Sequence, residues 1–328
     1  MGQYSLVIDG GTTNLRVTLL DAAGAILSTV KSEAGVSHTA IDGHNGRLKN
    51  ALREAVGSLL STASLTASDI AHCVAYGMIT SREGLVEIPH LTAPTDVQAL
   101  HQGMVMKSFA DIASFPIAFI PGVKNDAGTN TLDSFTAMDM MRGEETEAMG
   151  LWPLVRPVGP CVFVLPGSHN KLIQMGAAGQ IQSCMTILSG ELTNALTHHT
   201  ILASAVEHSF ATPEDFDMEM ALVGYQEAEK AGLGRAAFAG RILSTLYKKP
   251  PQQVASYLLG AVLQSDIQAL KAYATVHTPL YIAGKEPLQT ALCGLAHAAG
   301  FTQVHPVKHE TAGRMGVTGA LRIAGMKF

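Results

Sequence analysis

The segment that decides the fold is Ser5-Leu6-Val7-Ile8-Asp9-Gly10-Gly11-Thr12-Thr13-Asn14-Leu15-Arg16-Val17-Thr18-Leu19-Leu20. Two alternating, β-branched runs flank a tight turn, so the pattern predicts a β-hairpin. The turn carries a carboxylate, two glycines and two hydroxyls. Glycines let backbone N–H groups approach an anion closely, and Asp9 can hold Mg²⁺ or its water shell. The hairpin is a candidate phosphate-binding turn, but an ordinary hairpin whose glycines only supply positive φ has the same pattern.

The turn and the start of the second strand supply the first candidate ligands. The N–H groups and hydroxyls assigned to phosphate belong to Gly10, Gly11, Thr12 and Thr13. Asn14 and Arg16 follow, and an arginine guanidinium here can bind an acidic substrate through paired hydrogen bonds. The rest of the chain decides between the two interpretations of the hairpin.

Length and composition indicate two domains. A chain of 328 residues exceeds one small core and fits two domains of about 150 residues each. It is 47% hydrophobic and 15% charged, and no apolar run reaches the roughly 18 residues that a membrane span needs. Met1-Gly2-Gln3-Tyr4 leads into a strand and not into a basic and apolar leader. We therefore expect a cytoplasmic protein with no membrane partner.

Charge and cysteine content exclude two further classes of protein. The net charge of −5, without a Lys/Arg block, gives no general attraction to nucleic acid, so local groups must hold any anionic ligand. The cysteines lie far apart without a C-x-x-C pair, which favours buried free thiols in a reducing compartment over disulfides or a zinc site. They are Cys73, Cys161, Cys184 and Cys293.

The first part of the chain has the pattern of a mixed sheet. A meander of three strands precedes a helix with one apolar face, and two apolar strands follow, each ending in a loop with glycine. The predicted elements are strands at 4–9, 15–20 and 25–30, a helix at 46–61, and strands at 72–76 and 117–120.

The second part repeats this order more loosely, which indicates duplication. A strand, a Gly-containing turn and two more strands precede a helical region, and strands alternate with helices to the end. These elements are strands at 161–165, 172–175 and 180–186, helices within 190–273, a strand at 280–283, a helix at 288–299, a strand near Val304 and a helix at 311–324.

We therefore predict an α/β fold with two domains, each a mixed sheet flanked by helices. The predicted domains are residues 1–155 and 156–310. The last helix, within 311–328, is rich in glycine, which permits the close helix crossing that a hinge between the domains requires. The expected active site lies in the cleft between the two domains.

Five motifs identify a family when they are taken together. They are Asp9–Arg16, Gly77–Ser81, Met141–Thr146, Pro166–Lys171 and Ser189–Leu192, in this order along the chain. With them the chain resembles the 2-dehydro-3-deoxygalactonokinase family, part of the actin-like ATPase and sugar-kinase superfamily. The resemblance covers essentially the whole chain.

The resemblance implies a fold, a reaction and cofactors. The fold is a pair of RNase H-like (actin-like ATPase) domains, and the reaction is ATP-dependent phosphorylation of the 6-hydroxyl of 2-dehydro-3-deoxy-D-galactonate. ATP and Mg²⁺ are the expected cofactors, and a homodimer is possible. Asp9 is then the carboxylate that organises Mg²⁺ through water, while Gly167 and Ser168 hold phosphate from the second turn.

The superfamily also suggests a catalytic base. It commonly uses a carboxylate after a glycine at the start of a helix, and Gly143-Glu144 matches that pattern. The helix dipole keeps such a carboxylate ionised and able to accept a proton. Glu145 is the alternative base. The structural alternative is that these glutamates only complement the helix dipole on a solvated face.

The remaining site assignments concern the sugar acid and adenine. Arg16, Arg142 and Lys171 are candidate partners of the substrate carboxylate, and Lys171 is also a candidate to neutralise γ-phosphate charge. Residues assigned to the polyol chain are Gly77, Met78, Thr80 and Ser81, although the same segment also fits an ordinary strand exit. Gly284 and Lys285 are assigned to the adenine end.

The chain departs from the family pattern at several positions. The family usually has an aromatic residue where this chain has Gly10, a glutamine where it has Glu147, and an aromatic residue where it has Leu172. The superfamily commonly has a second glycine in place of Lys285. None of these changes removes a charged or hydroxyl group that phosphoryl transfer requires.

Two other functions compete with the galactonate kinase. One is a kinase of the same fold for the gluconate-derived epimer or another sugar acid, because one inverted hydroxyl leaves no mark in the motifs. The other is a non-catalytic regulator that binds nucleotide or sugar acid. No G-x-G-x-x-G opens a helix after the first strand, and no G-x-x-x-x-G-K-[ST] occurs, so a dinucleotide dehydrogenase and a P-loop NTPase are disfavoured.

Overall fold

A computed structural model of the chain describes residues 3–126, 128 and 131–326. Two compact units result: the first comprises residues 1–158, 176–184 and 313–328, and the second residues 159–175 and 185–312. The sequence-based domain boundaries, including the hinge role of the last helix, stay predictions.

Strands and helices alternate along both units. The strands are β1 (Tyr4–Gly10), β2 (Leu15–Leu20), β3 (Ile26–Ser32), β4 (Ile70–Gly77), β5 (Leu91–Thr92), β6 (Val105–Lys107), β7 (Ile117–Phe119), β8 (Val123–Lys124), β9 (Met140–Met141), β10 (Cys161–Leu165), β11 (Asn170–Met175), β12 (Ile181–Ile187), β13 (Leu280–Ile282) and β14 (Val304–Pro306). The helices are α1 (Ser37–Asp42), α2 (Gly46–Thr62), α3 (Val97–Gln102), α4 (Glu144–Val155), α5 (Ser189–His199), α6 (Met218–Ala231), α7 (Leu233–Thr245), α8 (Pro251–Tyr273), α9 (Leu288–Ala298) and α10 (His309–Ile323).

The sheet of the first unit has the order β3-β2-β1-β4-β7-β6. Strands β1, β2 and β3 form an antiparallel meander, while β4 pairs parallel to β1 and β7 parallel to β4. The apolar face of α2 covers this sheet, because its leucines fall on one side at helical spacing. The core they share includes Leu6, Ile8, Leu48, Leu52 and Phe119.

A second sheet, whose strands β10, β11, β13 and β14 lie in the second unit, has the order β12-β11-β10-β13-β14. Its β10 pairs antiparallel with β11 and parallel with β13, as β1 does with β2 and β4. Helices α6, α8 and α9 contribute to the core that includes Tyr225, Leu263, Ile267, Leu280 and Leu292. Both sheets thus repeat one order of strands, as the duplicated pattern in the sequence predicted.

The predicted α/β class with mixed sheets is confirmed, and the long elements match the sequence to within a few residues. The elements that the sequence did not predict are short, namely α1, α3, β6 and the small sheet β5-β8-β9. The two-residue strands of the small sheet have too few positions to show an alternating pattern. Within the part of the chain described, no helix is both long and apolar enough to span a bilayer.

Helices α4 and α10 cross at two glycines. A Cβ on Gly150 would lie 1.8 Å from the Met315 carbonyl oxygen, and a Cβ on Gly319 would lie 1.8 Å from the Thr146 carbonyl oxygen. Neither position can carry a side chain without separating the helices. The close approach predicted for the glycines of the last helix is therefore confirmed at Gly319, while Gly313 in the same helix has no atom within 4 Å of a Cβ.

The crossing predicts opposite effects for two Gly→Ala changes in α10. Gly319→Ala forces the helices apart and should lower the free energy of unfolding by about 1–3 kcal/mol. Gly313→Ala, the matched control, meets open space and should leave stability unchanged or raise it by up to about 1 kcal/mol, because alanine favours helix. Calorimetric unfolding of both variants tests this. Equal effects of the two substitutions would contradict the crossing.

Candidate active site

Three glycines bring the ends of β1 and β4 and the start of α4 together in the first unit. Gly10 and Gly77 are opposite each other in the parallel pair β1–β4. A Cβ on Gly77, whose φ is 87°, would lie 2.7 Å from the Gly10 carbonyl oxygen. Gly143 has a φ of 121° and precedes α4, and a Cβ there would lie 3.3 Å from the Cα of Gly77. Only glycine fits these contacts.

The tip of the β1–β2 hairpin is tied to the segment before α1. The Gly11 amide donates to the Asn14 carbonyl at 2.8 Å, while the carbonyls of Thr12 and Thr13 accept from the Ser37 and Gly35 amides at 2.9 and 3.0 Å. Thr12 and Thr13 are exposed, and their N–H groups have no hydrogen-bond partner among the described residues. The hairpin therefore presents the threonine N–H groups as available donors, whereas the Gly11 amide is already used.

Asp9 and Arg16 form a cross-strand ion pair beside this tip. They are opposite each other in the β1–β2 ladder, with 3.5 Å between Arg16 NH1 and Asp9 Oδ2. Burial raises the pKa of Asp9, the Arg16 guanidinium lowers it and nearby Glu144 raises it further. About half of the Arg16 side chain, 48%, is exposed, so its guanidinium retains N–H groups for a ligand.

The first turn of α4 places two adjacent glutamates in different environments. Glu145 is fully buried, with 0% exposure, and both of its carboxylate oxygens accept from the Gly143 amide at 2.8–2.9 Å. Glu144 is partly exposed, and its Oε2 accepts from the Arg142 amide at 3.1 Å. Of the two candidate bases, only Glu144 presents a carboxylate to solvent.

Burial and neighbouring charge set the titration of these carboxyl groups. Burial raises the pKa of Glu145 to about 8, and the nearby Glu144 raises it as well, against the opposing effect of the Gly143 and Thr146 hydrogen bonds. The pKa of Glu147, one residue beyond Thr146, is raised well above its usual range by burial and then by Asp9 and Glu144. Asp9, Glu145 and Glu147 therefore hold their protons to higher pH than free carboxyl groups do.

Arg142 holds the loop after β4. Its NH1 donates to the carbonyl oxygen and hydroxyl of Thr80 at 2.6 and 2.7 Å, and its NH2 donates to the Ile88 carbonyl at 2.9 Å and to His90 Nδ1 at 3.2 Å. Four of the five guanidinium N–H groups are thereby used. Burial, and then Arg142 and Lys124, lower the pKa of His90 to about 4, so Nδ1 accepts this hydrogen bond in a neutral ring.

The other residues assigned to the sugar acid lie in this same loop. Thr80 is fully buried, and its hydroxyl donates to the Gly77 carbonyl at 3.0 Å. Ser81 is 8% exposed, and its hydroxyl has no partner among the described residues. Met78 is partly exposed. The substrate roles of these residues, of Asn14 and of Arg142 stay predictions.

The second unit carries the second turn between β10 and β11. Asn170 Oδ1 accepts from the Gly167 amide at 2.9 Å, while the Asn170 side-chain amide donates to Asp266 at 2.8 Å. Ser168 is exposed. Lys171 is 3% exposed, and its ammonium donates to the Thr186 hydroxyl, so its charge is held inside the unit. Its assigned roles toward substrate and γ-phosphate stay predictions.

The assigned adenine loop lies next to that turn. A Cβ on Gly284 would lie 2.2 Å from Pro166 Cγ, so the end of β13 packs directly on the first residue of the turn. Lys285 is exposed and precedes α9, where the Gln289 amide donates to its carbonyl at 3.1 Å. The structure thus groups the assigned residues of the second unit around Pro166.

Two acidic residues, the partly exposed Glu147 and the buried Asp266, were absent from the sequence-based site. Glu147 was seen only as a departure from the family pattern. Asp266 was overlooked, although it follows Leu263 and precedes Ile267 in an apolar helix, and an isolated carboxylate on such a helix face is a recognisable signal.

Fold and site together define the class of protein. Each of the two large sheets has three consecutive strands as neighbours, two further parallel strands and a Gly-containing turn after the first of these strands, which is the RNase H-like arrangement. The chain is therefore a two-domain member of the actin-like ATPase and sugar-kinase class, with an acidic cluster in the first unit. It belongs to the 2-keto-3-deoxy-galactonokinase family, whose model matches residues 9–320.

Individual relatives agree with this membership. The 2-dehydro-3-deoxygalactonokinase of Escherichia coli K12 is 25% identical over 319 residues, covering 90% of this chain and 93% of the relative. A crystal structure of a candidate 2-dehydro-3-deoxygalactonokinase from Sinorhizobium meliloti has a TM-score of 0.77 at 21% identity, and the match covers 97% of this chain and 98% of the other. The ADPNP-bound activator of 2-hydroxyisocaproyl-CoA dehydratase from Clostridium difficile has a TM-score of 0.53 at 11% identity, and the match covers 98% of this chain and 94% of the other. These two structural likenesses concern the fold.

The buried carboxyl group of Glu145 predicts a pH-dependent stability. Its folded pKa of about 8 exceeds the usual value of 4.5, so its contribution to stability is complete below about pH 4.5 and is lost as pH rises through 8. Glu145→Gln removes the titration, so the variant should gain several °C in Tm relative to the wild type between pH 5 and pH 9. Calorimetry across that range tests this. A Tm difference that is constant with pH would contradict the shifted pKa.

Proposed function

We propose that this chain transfers the γ-phosphoryl group of ATP to the 6-hydroxyl of 2-dehydro-3-deoxy-D-galactonate. The observation that carries the proposal is the accessible carboxylate of Glu144 beside Asp9, at the glycine junction of a chain that belongs to this kinase family. Phosphoryl transfer needs donors around the phosphates, charge neutralisation and a base for the attacking hydroxyl. The first unit offers groups for the base and for the substrate.

Glu144 is the proposed catalytic base. Its carboxylate is partly exposed, and the residue is the first of a helix of 12 residues. Glu145 is unsuited because its oxygens are enclosed and already accept from Gly143 and Thr146. In the proposed reaction Glu144 accepts the proton of the 6-hydroxyl as that oxygen attacks the γ-phosphorus.

Arg16 is the proposed partner of the substrate carboxylate. Its guanidinium is half exposed and the 3.5 Å contact with Asp9 uses one end of it, so further N–H groups remain for a bidentate contact. Arg142 has one N–H group left after its four hydrogen bonds. We therefore assign Arg142 chiefly to shaping the loop that carries Thr80 and His90.

The chain offers phosphate donors in both units. The N–H groups and hydroxyls of Thr12 and Thr13 are the proposed donors of the first unit, although the Thr13 hydroxyl also accepts from the Asn14 side-chain amide at 2.9 Å. In the second unit the proposed donor is the Ser168 hydroxyl, while Gly167, whose amide already donates to Asn170, allows a close approach to the phosphates. We propose Gly284 and Lys285 as the adenine contact, because this loop packs on Pro166 at the start of the second turn.

Asp9 fits a magnesium ion that is bound through water. Among the described residues no group of three or more His, Cys, Asp or Glu side chains could hold a metal ion. Mg²⁺ normally keeps several waters and binds through one or two carboxylates together with substrate phosphates, so a single carboxylate at the phosphate hairpin suffices. When bound, Mg²⁺ neutralises charge on the β- and γ-phosphates. The homodimer and the cytoplasmic location stay predictions.

The reaction predicts ADP release that depends on both substrates. The purified chain is incubated with Mg·ATP and 2-dehydro-3-deoxy-D-galactonate, or with the gluconate epimer, and the product is identified by mass spectrometry. We expect a monophosphate of the galactonate compound, formed faster than that of the epimer. Phosphorylation of the epimer alone would show that the chain is a kinase whose substrate is the gluconate epimer. No transfer to either compound, with ATP still bound, would favour a regulator.

The base assignment predicts a specific loss of turnover. Glu144→Gln removes the proton acceptor and should lower kcat by about 100-fold or more, while the affinity for ATP stays within about 2-fold because no ATP contact is lost. Steady-state kinetics and calorimetric titration with ATP measure the two effects. Glu219→Gln, an exposed first-turn glutamate of α6, is the matched control. Near-normal turnover of the Glu144 variant would show that Glu144 is not the catalytic base.

A further inference from the structure

A chain of buried polar groups connects α8 to the second turn. Asp266 lies within α8 and is 1% exposed, and Asn170 at the start of β11 is 0% exposed. Asn170 Nδ2 donates to Asp266 Oδ1 at 2.8 Å, and Asn170 Oδ1 accepts from the Gly167 amide at 2.9 Å. Residues 96 positions apart along the chain are thus joined, with the Gly167 amide at one end.

Asp266 determines which way the Asn170 amide faces. An ionised carboxylate only accepts hydrogen bonds, so the NH₂ group of Asn170 must point toward it. The Asn170 carbonyl oxygen then points toward Gly167, whose backbone N–H only donates. The Gly167–Asn170 and Asn170–Asp266 hydrogen bonds can therefore form together only in this orientation of the Asn170 amide.

The second oxygen of Asp266 reaches the same turn by another route. It accepts from the hydroxyl of Ser189, the first residue of α5. The α5 helix then contacts the turn directly, because the Glu191 amide donates to the Ser168 carbonyl at 3.0 Å. A Cβ on Gly190 would lie 2.1 Å from the Gly167 carbonyl oxygen. One carboxylate is therefore connected to both Gly167 and Ser168.

Packing alone does not account for a carboxylate at this position. Its neighbours Leu263 and Ile267 are fully buried in the core of the second unit, and an unpaired charge in such surroundings strongly destabilises a protein. Burial raises the pKa of Asp266 to about 6 although Ser189 and Asn170 lower it. A leucine would pack without this cost, but it would leave the Asn170 amide without a fixed orientation.

We propose that Asp266 is a positioning residue, which through Asn170 and Ser189 holds Gly167 and Ser168 in the conformation that binds nucleotide phosphate. It contacts no substrate itself. The inference rests on the proposed function, in which the second turn binds the phosphates of ATP.

Variants that reverse the polarity of the buried pair test the inference. Asn170→Asp keeps the acceptor for the Gly167 amide but places two carboxyl groups against each other. Asn170→Asp combined with Asp266→Asn restores one donor and one acceptor, and Ser189 still has an oxygen to which it can donate. Asp266→Asn alone also retains an oxygen for Asn170. Asp266→Leu removes the network, and Ser256→Ala, a fully buried hydroxyl of the same helix that accepts from the Asp217 amide, is the matched control.

The readouts are the Kd of ADP with Mg²⁺, the KM of the sugar acid and the Tm. We expect Asn170→Asp and Asp266→Leu to raise the Kd by about 10-fold or more, since small displacements of binding groups are costly. The double variant and Asp266→Asn should return the Kd to within about 3-fold of the wild type, as should Ser256→Ala. The KM of the sugar acid should stay nearly constant in every folded variant.

A purely structural network would give a different result. Variants that fold with a lowered Tm but a wild-type Kd would overturn the positioning role, and so would a double variant that binds as weakly as Asn170→Asp. A wild type that binds no ADP would overturn the proposed function and the inference together. Wild-type binding without phosphorylation of any sugar acid would overturn the proposed function and leave the positioning role supported.

Discussion

Close backbone approach at glycine is the constraint on which the rest of the structure depends. Gly77 lies against the carbonyl of Gly10, Gly143 lies against Gly77, and Gly190 lies against Gly167. A methyl group at Gly77 or Gly190 would lie within 2.7 Å of a backbone oxygen, a separation that non-bonded atoms do not adopt. Strand ends, turns and helix starts can meet in each unit only because these residues lack a side chain.

The close approach of β1, β4 and the start of α4 brings several carboxyl groups together in the first unit. Asp9 at the end of β1 comes near the carboxyl groups at the start of α4, and Glu144 contributes to raising the pKa of Asp9, Glu145 and Glu147. Burial then separates two adjacent glutamates: Glu145 is enclosed and accepts from the backbone, while Glu144 reaches solvent. Arg16 is the cation paired with the cluster, whereas Arg142 is used chiefly to organise the neighbouring loop.

Much of the fold could be predicted because long elements carry periodic signals. The meander at the start follows from alternating apolar residues, and the apolar face of α2 follows from apolar residues at helical spacing. The repeated strand order follows from apolar runs that recur in the same succession along the chain. The small sheet β5-β8-β9 could not be predicted, since two residues per strand carry no periodicity. The site was predicted as a set of motifs, but Asp266 was not, because its partners are distant along the chain.

The sequence by itself determined the α/β class, the duplicated strand order, the glycine-rich turns and membership of a kinase family, because local periodicity and contiguous motifs encode each of these. Only the tertiary structure decided how individual polar groups are used. It buried Glu145 and left Glu144 partly exposed, enclosed Lys171, and directed Arg142 to Thr80 and His90. The physical reason is that burial and hydrogen-bond partners depend on which distant segments pack together, and adjacent residues of the same type can therefore have opposite environments.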